Sequence, residues 1–220
     1  MNEGRRVLAL GVRGSRESDS ESTGAMGPTV HEIVLKIGED LTRKGDNTQF
    51  ECRGVSYPAS AIRYRTSRTR GSAELRRLLY DEAMRDDSVT FALIGLSQGA
   101  DVVRHAIAAL ELDTALIDRI VAIVLLGDPN RHAGSAEKFQ HGSDDARPGL
   151  LARRGVVIRT DLVGRAWSYC LSRDRICANS WGPLGVVFSG THTHYERNAD
   201  HVLDLAAAFV VDQIHRSVEA

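Results

Sequence analysis

Val89-Thr-Phe-Ala-Leu-Ile-Gly-Leu-Ser-Gln-Gly-Ala-Asp-Val-Val103 is the stretch from which the fold is read. Its first half is a short apolar run, the composition of a strand covered on both faces. Its second half opens a helical stripe of Val102, Val103, Ala106, Ile107 and Leu110. The turn between them is Gly95-Leu-Ser97-Gln-Gly99, a G-x-S-x-G pentapeptide. A strand that bends abruptly into a helix puts Ser97 at a strained corner, and glycines two before and two after let the backbones approach. The hydroxyl then stands above the C-terminal edge of a sheet. Behind it the helix start offers free N–H groups and a positive dipole end to a developing oxyanion. The plainer alternative is a tight turn with a helix-capping serine, and the flanking strand and helix signals weigh against it.

The same alternation runs outward in both directions. Arg6–Val12, Thr48–Tyr57, Ser88–Ile94, Ile120–Leu126 and Val156–Leu162 read as strands. Pro28, suited to a first helical position after Gly27, precedes Val30, Ile33, Val34, Ile37 and Leu41 at helical spacing. Ser72 is placed to cap a helix carrying Leu75, Leu78 and Leu79, and Val202–Ile214 carries Leu205, Ala206, Phe209 and Val210. This order predicts a parallel sheet with helices on both sides. Two loops are long and polar, Arg13–Gly27 and Arg131–Gly155, and loops of that size tend to be functional. No linker divides the 220 residues, which suffice for one domain with its own core.

Composition narrows the function classes. Apolar residues at 42% and charged residues at 26% exclude wholesale disorder. No apolar run approaches the ~18–20 residues of a membrane span. A net charge of −1 leaves no broad basic footprint for nucleic acid. Of the 28 basic residues 25 are arginines, and the cluster Arg63, Arg65, Arg68 and Arg70 reads as a solvated face. Phosphate-loop and dinucleotide glycine motifs are absent, so no nucleotide cofactor is expected. Cys52, in an apolar stretch, reads as a small buried hydrophobe, while Cys170 and Cys177 are close enough to close a small loop. The apolar segment after the N-terminal Met-Asn-Glu-Gly-Arg-Arg is shorter than the ~7–15 residues of a secretory core. A bridged pair would imply an oxidising compartment, so either a leader is removed beforehand, or export takes another route, or Cys170 and Cys177 stay reduced.

An activated serine needs a base, and the base needs an orienting acid, in the chain order serine, acid, histidine. The candidate bases are His105, His132, His141, His192, His194, His201 and His215. Of these, His192 and His194 lie in a short segment entering the last helix, where a base can reach the sheet edge. The pair could also be read as two metal ligands, but no third ligand of suitable spacing lies nearby, so no metal is expected. The candidate acids are Asp128, Asp161 and Asp174, and spacing does not choose among them.

Five segments, in order, resemble the cutinase family of serine esterases. They are Arg13-Gly-Ser15-Arg-Glu17, Val55-Ser-Tyr-Pro-Ala59, Gly95-Leu-Ser97-Gln-Gly99-Ala, Cys170-Leu-Ser-Arg-Asp174-Arg-Ile-Cys177 and His192-Thr-His-Tyr195. The resemblance spans nearly the whole chain. It implies a three-layer α/β/α sandwich around a central, mostly parallel five-stranded sheet, without a large lid. It implies Ser97 as nucleophile, His192 as general base and Asp174 as orienting acid. It also implies an oxyanion hole from Ser15 and Gln98, a Cys170–Cys177 disulfide, and no cofactor. The substrate implied is a lipid-like ester and the chain a monomer. Phage lysin B proteins resemble cutinases too, which brings in the mycolyl-arabinogalactan ester of actinobacterial cell walls as a substrate. Three features depart from the family: its other disulfide has no cysteines here, Arg173 replaces the glycine before the acid, and Leu96 replaces a common tyrosine. An acyltransferase, or a cell-wall-binding module without turnover, would keep the same segments.

Overall fold

The computed structural model describes residues 5–219 apart from 16, 111–112, 133–137, 140–146, 153–155, 172–173, 179–191, 193–194 and 196–200. Six parallel strands form one sheet: β1 Arg6–Val12, β2 Gln49–Gly54, β3 Thr90–Leu96, β4 Ile120–Leu126, β5 Lys138–Phe139 and β6 Ala166–Tyr169. The order is β2-β1-β3-β4-β6-β5. The expected five-stranded sheet is therefore present, with the two-residue β5 added at one edge. The helices are α1 Pro28–Arg43, α2 Tyr64–Arg85, α3 Gln98–Ala108, α4 Thr114–Asp118 and α5 Val202–Glu219.

Alternation along the strands builds two cores. Val7, Ala9, Ala92, Ile94 and Val124 pack with Val30, Ile33, Val210 and Ile214 on the α1 and α5 side. Leu8, Leu10, Phe91, Leu93 and Leu125 pack with Leu75, Leu79, Val102 and Ile107 on the α2 and α3 side. Both faces of β1, β3 and β4 are buried, which is why these strands read as continuous apolar runs. Successive strands leave β1 in opposite directions, toward β2 and toward β3. Such a switch point opens a crevice at the C-terminal ends of the two central strands. The loops after β1 and β3, carrying Ser15 and Ser97, meet there.

The readings of β1 and β4 match residue for residue, and those of β2 and β3 err at their ends. Val156–Leu162 is not a strand. It runs as irregular chain into a 3-10 helix at Thr160–Arg165, beside which Arg159 pairs with Asp161 at 2.8 Å. Ile158 and Leu162 are buried on the α2 and α3 side, so their apolar character needs no ladder. The strand on β4 is the next segment, with Ile123 opposite Ala166 and Leu126 opposite Tyr169. Ser72 caps nothing, because α2 begins two turns earlier and Ser72 is buried inside it. Cys52 is exposed, on the edge strand β2. Within the arginine cluster, Arg63, Arg65 and Arg70 are exposed, whereas Arg68 is half-buried and pairs with buried Asp101 at 3.8 Å, so the cluster is a solvated face only in part.

One buried charge ties α2 to the sheet. The Glu82 side chain is fully buried and accepts from Arg53 at 2.8 Å, Arg85 at 2.6 Å and Arg6 at 3.1 Å. Burial alone would raise its pKa; the hydrogen bonds from Arg6 and Arg53 outweigh that and hold it below the ordinary carboxylate value. Folded Glu82 thus binds protons less readily than unfolded Glu82, and acid favours unfolding. Its contribution is complete above the unfolded value of about 4.3 and is lost as pH falls through the lowered folded value. Thermal melts from neutral pH into acid should show a steep loss below about pH 4 that Glu82→Gln flattens. An unchanged acid limb would remove Glu82 from that role.

Candidate active site

Ser97 follows the last residue of β3 with φ 54° and ψ −116° and serves as N-cap of α3. A positive φ in a non-glycine residue costs of order 1–3 kcal/mol and is held only when the surroundings enforce it. They do so through close approach. A Cβ on Gly99 would stand 2.1 Å from the Val12 carbonyl oxygen, and one on Gly95 2.7 Å from the Ala100 nitrogen. The two glycines of the pentapeptide therefore let α3 start hard against β1 and β3. The Ser97 N–H donates to Leu126 O at 2.8 Å, tying the corner to β4.

The Ser97 Oγ lies 2.6 Å from His192 Nε2. The other ring nitrogen, Nδ1, lies 2.8 Å from Asp174 Oδ2. Asp174 is wholly buried. Its Oδ2 also accepts from the Tyr195 hydroxyl at 2.8 Å and its Oδ1 from the Ile176 N–H at 2.9 Å. An ionised carboxylate only accepts, so it fixes Nδ1 as the protonated nitrogen and leaves Nε2 to accept from Ser97. Burial, and then the neighbouring Asp174 charge, push the Tyr195 phenol well above its ordinary value. Tyr195 therefore stays a hydroxyl donor. Such a chain can take the serine proton onto imidazole and stabilise the imidazolium that results.

The disulfide expected from the sequence holds this chain together with three groups to which the sequence reading gives no role, Tyr195, Arg131 and Gly127. The Cys170–Cys177 disulfide closes the loop around Asp174, with Cα atoms 5.8 Å apart. Tyr195 OH sits 3.4 Å from Cys177 Sγ and accepts from the Leu171 N–H at 3.2 Å. Buried Arg131 donates from Nε to Cys177 O at 2.9 Å and from Nη2 to Arg147 O at 2.5 Å, fastening the second long loop to the disulfide loop. The third is Gly127, with φ 57°, where a Cβ would stand 3.0 Å from both His192 Cε1 and Tyr195 OH. Gly127→Ala should push the imidazole off Ser97 and lower kcat/KM by about 100-fold, the scale of a 1 Å misplacement. Ester hydrolysis within a few-fold of the unsubstituted chain would show that the contact does not matter.

Gln98 and Ser15 are the two residues the sequence reading expects to form an oxyanion hole. The Gln98 side chain is buried and spent elsewhere: Oε1 accepts from Ser67 Oγ at 3.0 Å and Nε2 donates to Ser60 O at 3.1 Å. Its backbone N–H belongs to the first turn of α3, whose N–H groups have no intrahelical acceptor. Ser15 rides on the turn Gly14–Glu17. There Glu17 Oε2 accepts from the Gly14 N–H at 2.6 Å and Oε1 accepts from Thr29 Oγ1 at 3.1 Å. The turn lies against Leu96, the residue before Ser97.

The remaining sequence candidates fall elsewhere. Asp128 is fully buried in an ion pair with Arg104, and Asp161 is on the 3-10 helix with Arg159. His105 bonds the Asp101 carbonyl at 2.9 Å, and His215 pairs with Asp46 at 2.7 Å. His132 is half-buried and His201 exposed. His141, His194 and Arg173 lie outside the described residues. The only cluster of potential metal ligands among the described residues is Cys170, Asp174 and Cys177, and its cysteines are already bonded to each other.

The family model described as Cutinase matches residues 7–214. No curated protein matches the sequence. Among solved structures, a cutinase-like protein from Cryptococcus sp. is similar at 17% identity, with a TM-score of 0.78 and 97% of each chain covered. The catalytic core domain of acetyl xylan esterase from Trichoderma reesei is similar at 18% identity, with a TM-score of 0.63, 94% of this chain and 98% of that one covered. Lysin B from Mycobacteriophage D29 is similar at 17% identity, with a TM-score of 0.55, 98% of this chain and 91% of that one covered.

Proposed function

The chain belongs to the cutinase family and is a carboxylic ester hydrolase, and on that premise we propose that Ser97, His192 and Asp174 carry out the acyl transfer. The observation that carries this reading is the unbroken hydrogen-bonded chain from Ser97 Oγ through the His192 ring to buried Asp174. Ser97 Oγ attacks the ester carbonyl as its proton passes to His192 Nε2. The tetrahedral oxyanion is met by the backbone N–H groups of Gln98 and Ser15, each such donor being worth about 3–4 kcal/mol in the transition state. His192 returns the proton to the leaving alcohol. Water, deprotonated by the same nitrogen, then releases the acid and regenerates Ser97.

The substrate class proposed is a lipid-like ester, and within it the mycolyl ester of an actinobacterial cell wall. The support is the joint match of the five sequence segments, together with the fold shared with cutinase-like and lysin B proteins. A fluorophosphonate probe should label the chain at Ser97, mapped by peptide mass spectrometry. Folded protein that never labels would overturn the mechanism. Rates across short esters, long-chain esters and purified mycolyl-arabinogalactan would test the substrate. No release from the cell-wall ester would remove the narrower proposal and leave the hydrolase.

The disulfide gives a separate expectation. Cys170 and Cys177 bracket Asp174, so reduction should lower kcat more than it lowers Tm. Mass spectrometry that finds Cys170 and Cys177 as free thiols, beside the free Cys52, in fully active protein would exclude it.

A further inference from the structure

We propose that two copies of this chain pair along β2, antiparallel and about a two-fold axis, into one continuous sheet. The sequence reading expects a monomer; the free edge of the sheet points to a dimer. β2 has a neighbour on one side only. Gln49 N and Val55 N donate inward to Arg5 O and Gly11 O. By strand alternation Glu51 and Arg53 also face β1, and Phe50, Cys52 and Gly54 turn their N–H and C=O groups outward. Among the described residues those outward groups have no partner.

An antiparallel copy meets this edge in a register that the outward groups themselves set. Cys52 lies opposite Cys52 of the second copy and exchanges both main-chain hydrogen bonds with it, and Phe50 lies opposite Gly54. The non-hydrogen-bonded positions between them then set Glu51 opposite Arg53, twice. Glu51 pairs with Arg6 and Arg53 with Glu82 within the chain, but their side chains are still 49% and 42% exposed, so each can also meet its opposite number across the seam, and opposite charges directly opposite stabilise such a pair. In a parallel, in-register alignment the same residues would set like charge beside like charge. The sequence of the strand therefore complements itself only in the two-fold arrangement.

The neighbouring surface fits. On the α1 face a groove lined by Val34, Leu35, Gly38, Phe50 and Cys52 runs beside the edge, with Leu35 52% exposed. The second copy would continue that apolar strip. α1 packs over β1 and β3, so the two α1 helices would stand at least about 14 Å apart, three strand spacings. The opposite edge of the sheet, β5, has only two residues, which leaves β2 as the edge long enough to pair. Antiparallel pairing also points the two Ser97 sites in opposite directions, so both stay open and the rate per chain on a soluble ester is independent of assembly.

Light scattering during gel filtration, over micromolar concentrations, should give twice the chain mass, falling to the single-chain mass on dilution. Cys52→Pro removes one outward N–H that β1 does not use, and should keep esterase activity while remaining at the single-chain mass. Register is tested with a short bismaleimide. The native Cys52 thiols should be cross-linked, whereas Cys52→Ser with Gln49→Cys should not be, because residues 49 would lie about 20 Å apart. A single-chain mass at every concentration, or equal cross-linking of the two cysteine positions, would overturn the proposal without touching the esterase reading.

Discussion

Ser97→Ala should lower kcat on p-nitrophenyl butyrate by about 10⁴- to 10⁶-fold, the range seen when a serine nucleophile is removed from an intact site. The loss is large because the substitution deletes the attacking atom, while binding and oxyanion donors survive and supply the residual rate. Stability should change little. The strain at φ 54° belongs to the backbone and is retained by alanine. His192→Ala should cost about as much as Ser97→Ala, and the pair together no more, since members of one proton chain act as a unit. Asp174→Asn should cost about 10⁴-fold with the fold intact, because a carboxamide no longer fixes the imidazole with Nδ1 protonated. A Ser97→Ala enzyme at the unsubstituted rate would end the assignment, as would additive losses across the three positions.

How much of this was legible beforehand depended on how local each signal is. The Ser97 corner was readable because its three parts, apolar strand, small-residue turn and helical stripe, are contiguous. β1 and β4 were readable because burial on both faces leaves no polar residue inside them. The first two turns of α2 were not, because Tyr64–Gly71 carries no apolar stripe and turns inward through Ser67 and Gly71 instead. β6 was missed because Val156–Leu162 is more β-branched, while its apolar side chains are used against a helix layer rather than in the sheet. Spacing left the acid open among Asp128, Asp161 and Asp174; only the segment around Cys170 and Cys177 singled one out. The support around the site was illegible for a different reason. Arg131 reaches Cys177 across 46 positions and Gln98 reaches Ser67 across 31, and nothing in either sequence neighbourhood announces the partner.

Asp128→Ala should destabilise the fold by about 3–5 kcal/mol, the cost of stranding one partner of a buried ion pair. At roughly 2–4 °C per kcal/mol for a chain of this size, Tm should fall by about 6–20 °C. Both partners, Arg104 and Asp128, have fully buried side chains, so removing the carboxylate leaves a guanidinium in the core of the α3 and β4 packing. Asp128 also accepts from the Asn130 N–H at 2.8 Å. The companion variant is therefore Arg104→Met with Asp128→Asn, which removes both charges and keeps an acceptor for that N–H. It should recover most of the lost stability, because a buried pair stabilises little against neutral groups of similar shape. Activity separates this structural role from the catalytic one that the sequence left open. If Asp128 oriented the base, the double variant would melt normally and hydrolyse esters about 10⁴-fold more slowly. With Asp174 in that position, it should retain most of its kcat, and the loss in Asp128→Ala should appear in the melting curve.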